Sequence, residues 1–247
     1  MLRELAYRTR YALSLLEPAS VAVRRFACPM CGPSLLLRLS RDSIGVRCVR
    51  CGASAITLSL VSVLKSVRPE FARERVYELS SRGPLFAFLK REVGDLIWSE
   101  YFDGVPPGEI RDGVQCQDVQ RLTFADASFD VCTSTEVFEH VPDDGRGFAE
   151  IARVLRPGGL FVFTVPIDPA FSTVERAWVE NEEVRHRLPV SYHDDRIRGR
   201  GQVLVFREYG GDIVNRLCAH GFTSARIDGR FADAFLGAGT HVVVALR

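Results

Sequence analysis

The segment that decides the fold spans residues 113–166 and reads GVQCQDVQRLTFADASFDVCTSTEVFEHVPDDGRGFAEIARVLRPGGLFVFTVP. Its apolar runs and polar breaks predict a strand, an acidic turn, a second strand, a helix, a glycine stop and a third strand. Phe129 to Cys132 and Leu160 to Val165 are continuous apolar runs, which are typical of strands covered on both faces. Between them, Pro157-Gly158-Gly159 ends the helix. Strands that alternate with helices predict a parallel sheet, whose functional edge lies at the carboxyl ends of its strands.

Three motifs in this segment resemble the second half of class I S-adenosylmethionine-dependent methyltransferases. They are Asp-x-x-x-Leu-x-Phe-x-Asp-x-Ser-Phe-Asp from Asp118, Glu-His-Val-Pro from Glu139 and Arg-Val-Leu-x-Pro-Gly-Gly from Arg153. The likeness is specific over about fifty residues and continues more loosely from Glu74 to the C-terminus. It implies an α/β, Rossmann-like fold with a seven-stranded, mostly parallel sheet in the order 3-2-1-4-5-7-6. A doubly wound domain of another kind is the alternative.

Length and composition are those of a chain that buries a full core. It has 247 residues, of which 47% are hydrophobic and 26% are charged. Its apolar runs are all shorter than the roughly 18 residues that a membrane-spanning helix needs. Residues 1–16 lack the apolar centre of a signal peptide. We therefore expect a cytoplasmic protein without a membrane span.

Four of the seven cysteines form a regular pattern. Two residues separate Cys28 from Cys31 and Cys48 from Cys51, and sixteen residues separate the two pairs. This spacing lies in the range for a four-cysteine zinc site, and the glycine after each second cysteine suits a sharp turn around a metal. With a predicted hairpin between the pairs, the arrangement resembles a zinc ribbon. Four cysteine ligands leave no open coordination position, so the zinc would be structural.

Two disulfides, or a redox-active Cys-x-x-Cys pair, are the alternatives to zinc. A cytoplasmic location disfavours disulfides, and the presence of two such pairs disfavours a redox role. The same part of the chain is basic, since residues 1–75 carry 13 Lys and Arg but 5 Asp and Glu. Such asymmetry can signal an anionic partner, so a nucleic acid is a candidate, and a solvated basic surface is the alternative.

The resemblance places the cofactor loop after Glu78, at the end of the first predicted strand. Family members carry Glu-x-Gly-x-Gly-x-Gly at this junction, whereas this chain reads ELSSRGP over residues 78–84. Only Gly83 remains of the glycines that let the backbone approach the methionine part of the cofactor. Ser80 and Ser81 are small enough to replace them in part, and their hydroxyls can bond polar groups of the cofactor. Arg82 either clashes with the cofactor or binds its methionine carboxylate.

Further residues complete the predicted cofactor site. Glu100 ends the second predicted strand, at the position where family members and dinucleotide-binding folds bind ribose hydroxyls with an acid. An ordinary surface acid at a strand end is the alternative. Tyr101 would pack on the adenine. Asp118 matches the family's acid that accepts the adenine amino group, and Val119 would offer its backbone beside it.

Candidate catalytic residues follow the fourth and fifth predicted strands. Ser134 to Glu136 would face the methyl donor, and His140 is a candidate base, unless it bonds locally at the start of the next helix. Tyr192 and His193 lie in a polar segment, 167–201, where most family members place a substrate-recognising insertion. These two side chains can position or deprotonate a nucleophile, and an unpatterned polar loop is the alternative.

The sequence therefore predicts an S-adenosylmethionine-dependent methyltransferase with a structural zinc site. Its acceptor is unknown and can be a small molecule, RNA, a protein or a glycan precursor. A catalytically silent scaffold or binding module is the alternative, because the cofactor loop is poor in glycine. The predicted divisions are an N-terminal helix (1–23), a zinc ribbon (24–58), a linker helix (59–73) and a methyltransferase-like domain (74–247) with an insertion at 167–201.

Overall fold

A computed structural model describes residues 15–195, 201–230, 235–237 and 240–247. Most of the helix predicted for residues 1–23 lies outside these ranges. The described part of that segment is not an α-helix, because Pro18–Ser20 forms a single 3-10 turn and an extended strand begins at Ala22. A proline within the first turn suits such a short 3-10 helix, because its missing amide would have had no partner there.

Strands and helices alternate through most of the described chain. The strands are β1 (Ala22–Cys28), β2 (Gly32–Arg38), β3 (Val46–Cys48), β4 (Arg75–Glu78), β5 (Asp95–Trp98), β6 (Ile110–Arg111), β7 (Val114–Gln115), β8 (Phe129–Thr135), β9 (Leu155–Thr164), β10 (Ile167–Asp168), β11 (Val174–Glu175), β12 (Ala177–Glu180), β13 (Glu183–His186), β14 (Tyr192–Asp195), β15 (Gly201–Leu204), β16 (Arg207–Gly210), β17 (Ser224–Asp228) and β18 (Val242–Leu246). The α-helices are α1 (Ala55–Val67), α2 (Gly83–Glu92), α3 (Asp144–Val154) and α4 (Ile213–Ala219).

The central sheet is mixed and has six strands in the order β17-β18-β9-β8-β4-β5. The four strands from β9 to β5 run parallel, and β18 pairs antiparallel with both β9 and β17. Helix α3 begins where the Asp143 side chain accepts a hydrogen bond from the Arg146 amide at 3.0 Å. It ends at Val154, and Pro157-Gly158-Gly159, which the sequence predicts as the helix stop, instead lies within β9, where the pairing with β8 is irregular. The α/β, Rossmann-like prediction is therefore correct for these elements.

The seventh strand of the predicted order is not formed. Residues 114–116, which we expected as the third strand, instead close a short antiparallel hairpin of β6 and β7 around Gly113 (φ 76°). Only a single parallel bridge, between Glu100 and Cys116, joins this segment to the edge of the sheet beyond β5. Two backbone hydrogen bonds surround the bridge, from the Glu100 amide to Gln115 and from the Gln117 amide to Glu100. The sheet thus has six strands, and the bridge between Glu100 and Cys116 lies where the third strand was expected.

The N-terminal cysteine module shares its hydrophobic core with the central sheet. Strands β1, β2 and β3 form an antiparallel sheet, in which β2 and β3 are the predicted hairpin. Leu36 and Val46 of this small sheet join one core with Leu60 and Leu64 of α1 and with Val162 of β9. Helix α1 begins at Ala55 and ends at Val67, where the sequence predicts a linker helix at 59–73. It buries most of its surface between the two sheets, so it packs as a core element.

The polar segment predicted as an insertion contains strands rather than an unpatterned loop. Strands β12 and β13 form one antiparallel hairpin, β14 pairs with β15, and β10, β16 and β11 form a small sheet. The strand predicted at Val203 to Phe206 is divided, since β15 ends at Leu204 and β16 begins at Arg207. These hairpins carry alternating polar residues with little burial, which is why their sequence resembles a loop. In the described ranges, no helix is both long and apolar enough to cross a bilayer.

Candidate functional site

A cavity of about 440 Å³ lies at the carboxyl ends of β4, β5 and β8. This volume is typical of ligand and cofactor pockets, which span roughly 300–1,000 Å³. Five residues that the sequence analysis assigned to the site line it together, namely Glu100, Tyr101, Asp118, Val119 and His140. They are distant in sequence and meet here because the carboxyl ends of parallel strands lie at one edge of the sheet.

Glu100 is a fixed acid in the cavity wall. It is only 6% exposed, and it follows β5 at the bridge to Cys116. Its Oε2 atom accepts a hydrogen bond from the Ser81 hydroxyl at 3.3 Å, and its Oε1 atom accepts one from the Tyr101 amide at 3.3 Å. Tyr101 leaves 47% of its surface exposed beside the cavity. The acid that ends the second predicted strand is therefore held in place and is not an ordinary surface acid.

Asp118 is oriented by a local turn. Its Oδ1 atom accepts hydrogen bonds from the Gln120 backbone amide at 2.9 Å and from the Gln120 side-chain amide at 3.1 Å. The carbonyl of Asp118 accepts a further bond from the Arg121 amide at 2.8 Å. Val119 is 9% exposed and belongs to the core on the α3 face of the sheet. The turn thus presents one acid and one short backbone segment to the cavity.

Glu78 lies beneath the cofactor loop and outside the cavity wall that the described residues form. It is 1% exposed, and its Oε2 atom accepts a hydrogen bond from the Thr133 hydroxyl. Burial raises the pKa of Glu78 to about 8, against the opposing effect of that hydrogen bond and with a contribution from the negative charge of Glu100. Glu78 therefore carries its proton at neutral pH in the folded chain.

The loop after Glu78 is held by its own serines. Ser80 Oγ accepts a hydrogen bond from the Arg82 amide at 3.3 Å, and Ser81 bonds Glu100 as described. Gly83 opens α2 with φ of 87°, a conformation that favours glycine. A Cβ atom added there would meet nothing within 4 Å, so backbone conformation and not close approach requires the glycine. Ser80, Ser81, Arg82 and Gly83 stand beside the cavity wall and do not form part of it.

The cavity is lined by acids. Glu100, Asp103, Asp118 and Glu136 belong to its wall, and none of the described wall residues is Lys or Arg. Burial and the neighbouring charge of Glu139 raise the pKa of Glu136 to about 8. Glu136 is thus mostly protonated at neutral pH, and the negative charge of the wall comes from its other acids, which favour a cationic ligand. Of Ser134 to Glu136, which were expected to face the methyl donor, Glu136 belongs to this wall. Asp103 was not expected, because a wall shared by several loops leaves no local pattern.

Strand β15 and the residues that join it to β16 contribute one side of the cavity. Gln202, Val203, Leu204 and Phe206 line it, and they are mostly apolar. The segment is tied down at two points, where the Phe206 amide donates to the Glu139 carbonyl at 2.8 Å and His140 Nδ1 donates to the Leu204 carbonyl at 2.8 Å. This segment, which directly follows the predicted insertion at 167–201, therefore completes the cavity, which the strand ends of the central sheet and their loops do not enclose alone.

The candidate catalytic residues do not all lie at the cavity. His140 lines the cavity, and the His193 ring packs edge to face against it with centroids 5.0 Å apart. Tyr192 is 51% exposed on β14 and does not contribute to the described cavity wall. Ser134 is fully buried at the end of β8, and its hydroxyl has no hydrogen-bond partner among the described residues. Only the two histidines are thus brought together near the cavity.

A buried arginine fixes the backbone next to His140. The guanidinium of Arg207 is 2% exposed and donates to the carbonyls of Phe138, Val141 and Pro142. Arg207 Nε also donates to Glu175 at 3.0 Å. These bonds satisfy the donors of a side chain that would be costly to bury alone. No sequence pattern identified Arg207, because its guanidinium bonds mainly to backbone carbonyls of a turn that is distant in sequence.

The four patterned cysteines form a compact cluster. All four sulfur atoms lie within 4.8 Å of one another, with Cys28 and Cys51 3.8 Å apart and Cys31 and Cys48 3.6 Å apart. These distances are far longer than a disulfide bond of about 2.05 Å. They match the edge of about 3.8 Å of a tetrahedron with zinc–sulfur bonds of about 2.3 Å. The donor set and its geometry therefore fit a zinc ion.

The thiols of the cluster differ in acidity, since burial raises the pKa of Cys31 to about 11 and that of Cys51 far above its ordinary value, whereas the pKa of Cys48 is lowered. Burial opposes ionisation of Cys48, but hydrogen bonds from the Ser34 hydroxyl and from the backbone amides of Cys51 and Arg50 lower its pKa to about 6. Gly32 and Gly52 have φ of 81° and 73°, as the predicted sharp turns require. Each Cys-x-x-Cys pair thus turns its sulfurs towards one point.

Sequence similarity to known proteins is found mainly in the second half of the site, from Tyr101 onwards. Residues 101–163 match a family model described as a methyltransferase domain. Ubiquinone biosynthesis O-methyltransferases of Coxiella burnetii strains are 38% identical over 80 residues, which is 32% of this chain and 34% of theirs. An uncharacterized methyltransferase of Mycobacterium sp. (strain JLS) is 56% identical over 50 residues, 19% of this chain and 20% of that protein. The chain spans about a third of the length of the first of these curated relatives.

A solved structure extends the likeness to the whole fold. The S-adenosylmethionine dependent methyltransferase from Mesorhizobium loti superposes with a TM-score of 0.50 at 18% identity. The superposition covers 76% of this chain and 98% of that one. At this identity the likeness concerns the fold alone. The chain thus has the fold of this methyltransferase, and its residues 101–163 match the methyltransferase family model.

Proposed function

We propose that this chain is an S-adenosylmethionine-dependent methyltransferase. The observation that carries the proposal is the acidic cavity at the carboxyl ends of β4, β5 and β8, into which Glu100, Asp118 and His140 are gathered. A bound S-adenosylmethionine supplies an electrophilic methyl group on a positively charged sulfur. The carboxylates of Glu100 and Asp118 in this wall favour such a cation.

The predicted cofactor residues fit this donor. Glu100 would bind the ribose hydroxyls through its carboxylate, which Ser81 and the Tyr101 amide already orient. Asp118 would accept the adenine amino group, with the Val119 backbone beside it and the Tyr101 ring against the base. Ser80, Ser81 and Gly83 would border the methionine part, with Glu78 supporting the loop from below. In such a site, catalysis depends mainly on holding donor and acceptor in line at short distance.

The acceptor side of the cavity favours a small molecule with an apolar body. Val203, Leu204 and Phe206 form this side, and Val137 and Val141 adjoin it. An acidic and apolar wall is a poor partner for the phosphate backbone of RNA. His140 lines the same region and is the residue placed to receive a proton if the acceptor has one to lose. Tyr192 and Ser134 retain their assigned roles only as predictions from the sequence.

We also propose that Cys28, Cys31, Cys48 and Cys51 bind one structural zinc ion. The tetrahedral spacing of their sulfurs supports this, and so does the position of the cluster at the edge of the core that α1 shares with the sheet. The four thiolates would complete the coordination of the metal, so it has no direct part in the chemistry. Its role is to hold β1, β2 and β3 on α1.

Calorimetry with S-adenosylmethionine and S-adenosylhomocysteine tests the methyltransferase proposal. The full chain should bind both, and Glu100→Ala should weaken binding by about 1–3 kcal/mol, or roughly 5- to 150-fold, through the loss of charge-assisted hydrogen bonds. The matched control is Glu109→Ala, because Glu109 is exposed outside the cavity. Undetectable binding at millimolar cofactor would refute the proposal and favour a silent scaffold.

A further inference from the structure

Three side chains beside the cavity form a second group with metal-binding geometry. Glu139, His140 and His193 place one carboxylate oxygen and two imidazole nitrogens within 4.8 Å of one another. Glu139 Oε1 lies 3.5 Å from His140 Nε2 and 3.7 Å from His193 Nδ1. Both distances exceed a good hydrogen bond, and they approach the ligand–ligand separation of about 3.4 Å around a tetrahedral cation bound at about 2.1 Å.

The carboxylate of Glu139 lacks a conventional partner. Glu139 is 1% exposed, and neither of its side-chain oxygens has a hydrogen-bond partner among the described residues. Its backbone is fixed, since its carbonyl accepts from the Phe206 amide at 2.8 Å. A buried carboxylate is costly unless it is paired or coordinates a metal. The two imidazoles are the groups that Glu139 faces at close range.

The orientation of His140 prepares it to be a ligand. Its Nδ1 atom is 2.8 Å from the Leu204 carbonyl, which can only accept, so Nδ1 carries the proton and Nε2 of the neutral ring carries a lone pair. In the neutral ring that lone pair is on the side of Glu139 Oε1, 3.5 Å away, so both atoms can bind one cation. At metal sites, a carbonyl commonly holds the far nitrogen of a ligating histidine.

We propose that Glu139, His140 and His193 bind a divalent metal ion, separate from the four-cysteine site. Two imidazoles and a carboxylate suit first-row ions such as Zn²⁺, Fe²⁺ or Co²⁺, whereas thiolates select softer ions. Three protein ligands leave at least one coordination position open. His140 is also part of the cavity wall, so the open position lies beside the cavity. While its Nε2 atom binds the metal, His140 has no lone pair left to accept a proton, so its role as a base applies only to the chain without this metal. The site stands on its own geometry, whether or not the cavity binds a methyl donor.

Cobalt binding to the full chain tests this site without a methylation assay. The chain is first purified with its cysteine cluster loaded with zinc, and its metal content is measured. It is then titrated with Co²⁺ by calorimetry and visible absorption, while a dye reports any zinc that is released. Binding at nitrogen and oxygen ligands gives no cobalt–thiolate charge-transfer band, so the spectrum separates the two sites.

The variants are His193→Ala and Glu139→Gln, with His186→Ala as the matched control. His186 is an exposed histidine on β13 and lies outside the cluster. The wild-type chain and His186→Ala should bind one Co²⁺ beyond the zinc, without zinc release, and should unfold at a higher temperature when cobalt is present. His193→Ala should bind it at least tenfold more weakly and lose the thermal shift.

Two results would overturn the proposal. One is a wild-type chain that takes up cobalt only by displacing zinc from thiolates. The other is a His193→Ala chain that binds the second ion as tightly as the wild type. His193 is 43% exposed at its side chain, so this variant should fold even if the buried Glu139→Gln variant does not. Thermal unfolding of each zinc-loaded variant without cobalt verifies that it folds.

Discussion

Replacing Glu78 by glutamine should change how the stability of the chain depends on pH. The folded chain holds the Glu78 proton up to about pH 8, whereas the unfolded chain releases it near the ordinary value of 4.5. A raised pKa in the folded state means that the unfolded state binds fewer protons between these values. Stability from this group is therefore fully present below pH 4.5 and is lost as the pH rises to about 8.

The size of this effect follows from the two pKa values. Each pH unit between them costs about 1.4 kcal/mol of unfolding free energy, so the loss from pH 4.5 to pH 7 is about 3 kcal/mol. Glu78→Gln cannot ionise and keeps an oxygen that accepts from Thr133. The difference in unfolding free energy between the variant and the wild type should therefore shift by about 3 kcal/mol in favour of the variant over this range.

Urea denaturation at several pH values between 4.5 and 8 measures this difference directly. The contributions of all other titrating groups cancel between the two chains, provided that the substitution leaves the fold intact. Glu109→Gln, at an exposed glutamate, is the control and should run parallel to the wild type. If the unfolding free energy of Glu78→Gln also changes with pH in parallel with that of the wild type, Glu78 ionises in the folded chain as in the unfolded one. The inference that its buried carboxyl is protonated would then be wrong.

Three further predictions concern the elements that support the cavity. Cys28→Ser should lose one equivalent of bound zinc and at least about 4 kcal/mol of stability. The control Cys218→Ser, at an exposed cysteine, should lose neither. Equal metal content in the two variants would contradict the zinc site. Arg207→Ala should cost about 3–5 kcal/mol in denaturant unfolding, because it leaves three carbonyls without their donor, while Glu175 keeps its bond from Arg216. A loss below about 1 kcal/mol, as at a surface ion pair, would show that the network is not buried in solution. Gly83→Ala should cost about 1–2 kcal/mol from its left-handed backbone alone, and a larger loss would mean that the neighbouring space is filled.

The predictions that succeeded rest on patterns within short stretches of chain. The apolar runs of β8 and β9 need only neighbouring residues to be interpreted. The cysteine spacing is local in the same way, because each pair is one turn and the hairpin between them sets their separation. Glu100 was found through its distance from the first strand, which reflects the length of one strand–helix unit.

The predictions that failed required knowledge of distant contacts. The third strand was expected from Val114 to Cys116, but Gly113 allows a hairpin turn that competes with pairing to β5. The strands of the insertion are largely exposed, so they lack the buried alternation that identifies a strand. Ser134 lies near the end of β8 and is fully buried, and its place facing the methyl donor stays a prediction.

The amino-acid order alone determined the sheet-and-helix alternation, the four-cysteine cluster and the acids at the strand ends, because hydrophobic period, turn chemistry and ligand spacing act over a few residues. The tertiary structure alone decided that the cysteine module shares a core with the sheet, that the β15–β16 segment closes the cavity and that Glu139 and His140 meet His193. These outcomes depend on which surfaces pack together, and packing joins residues that have no relation along the chain.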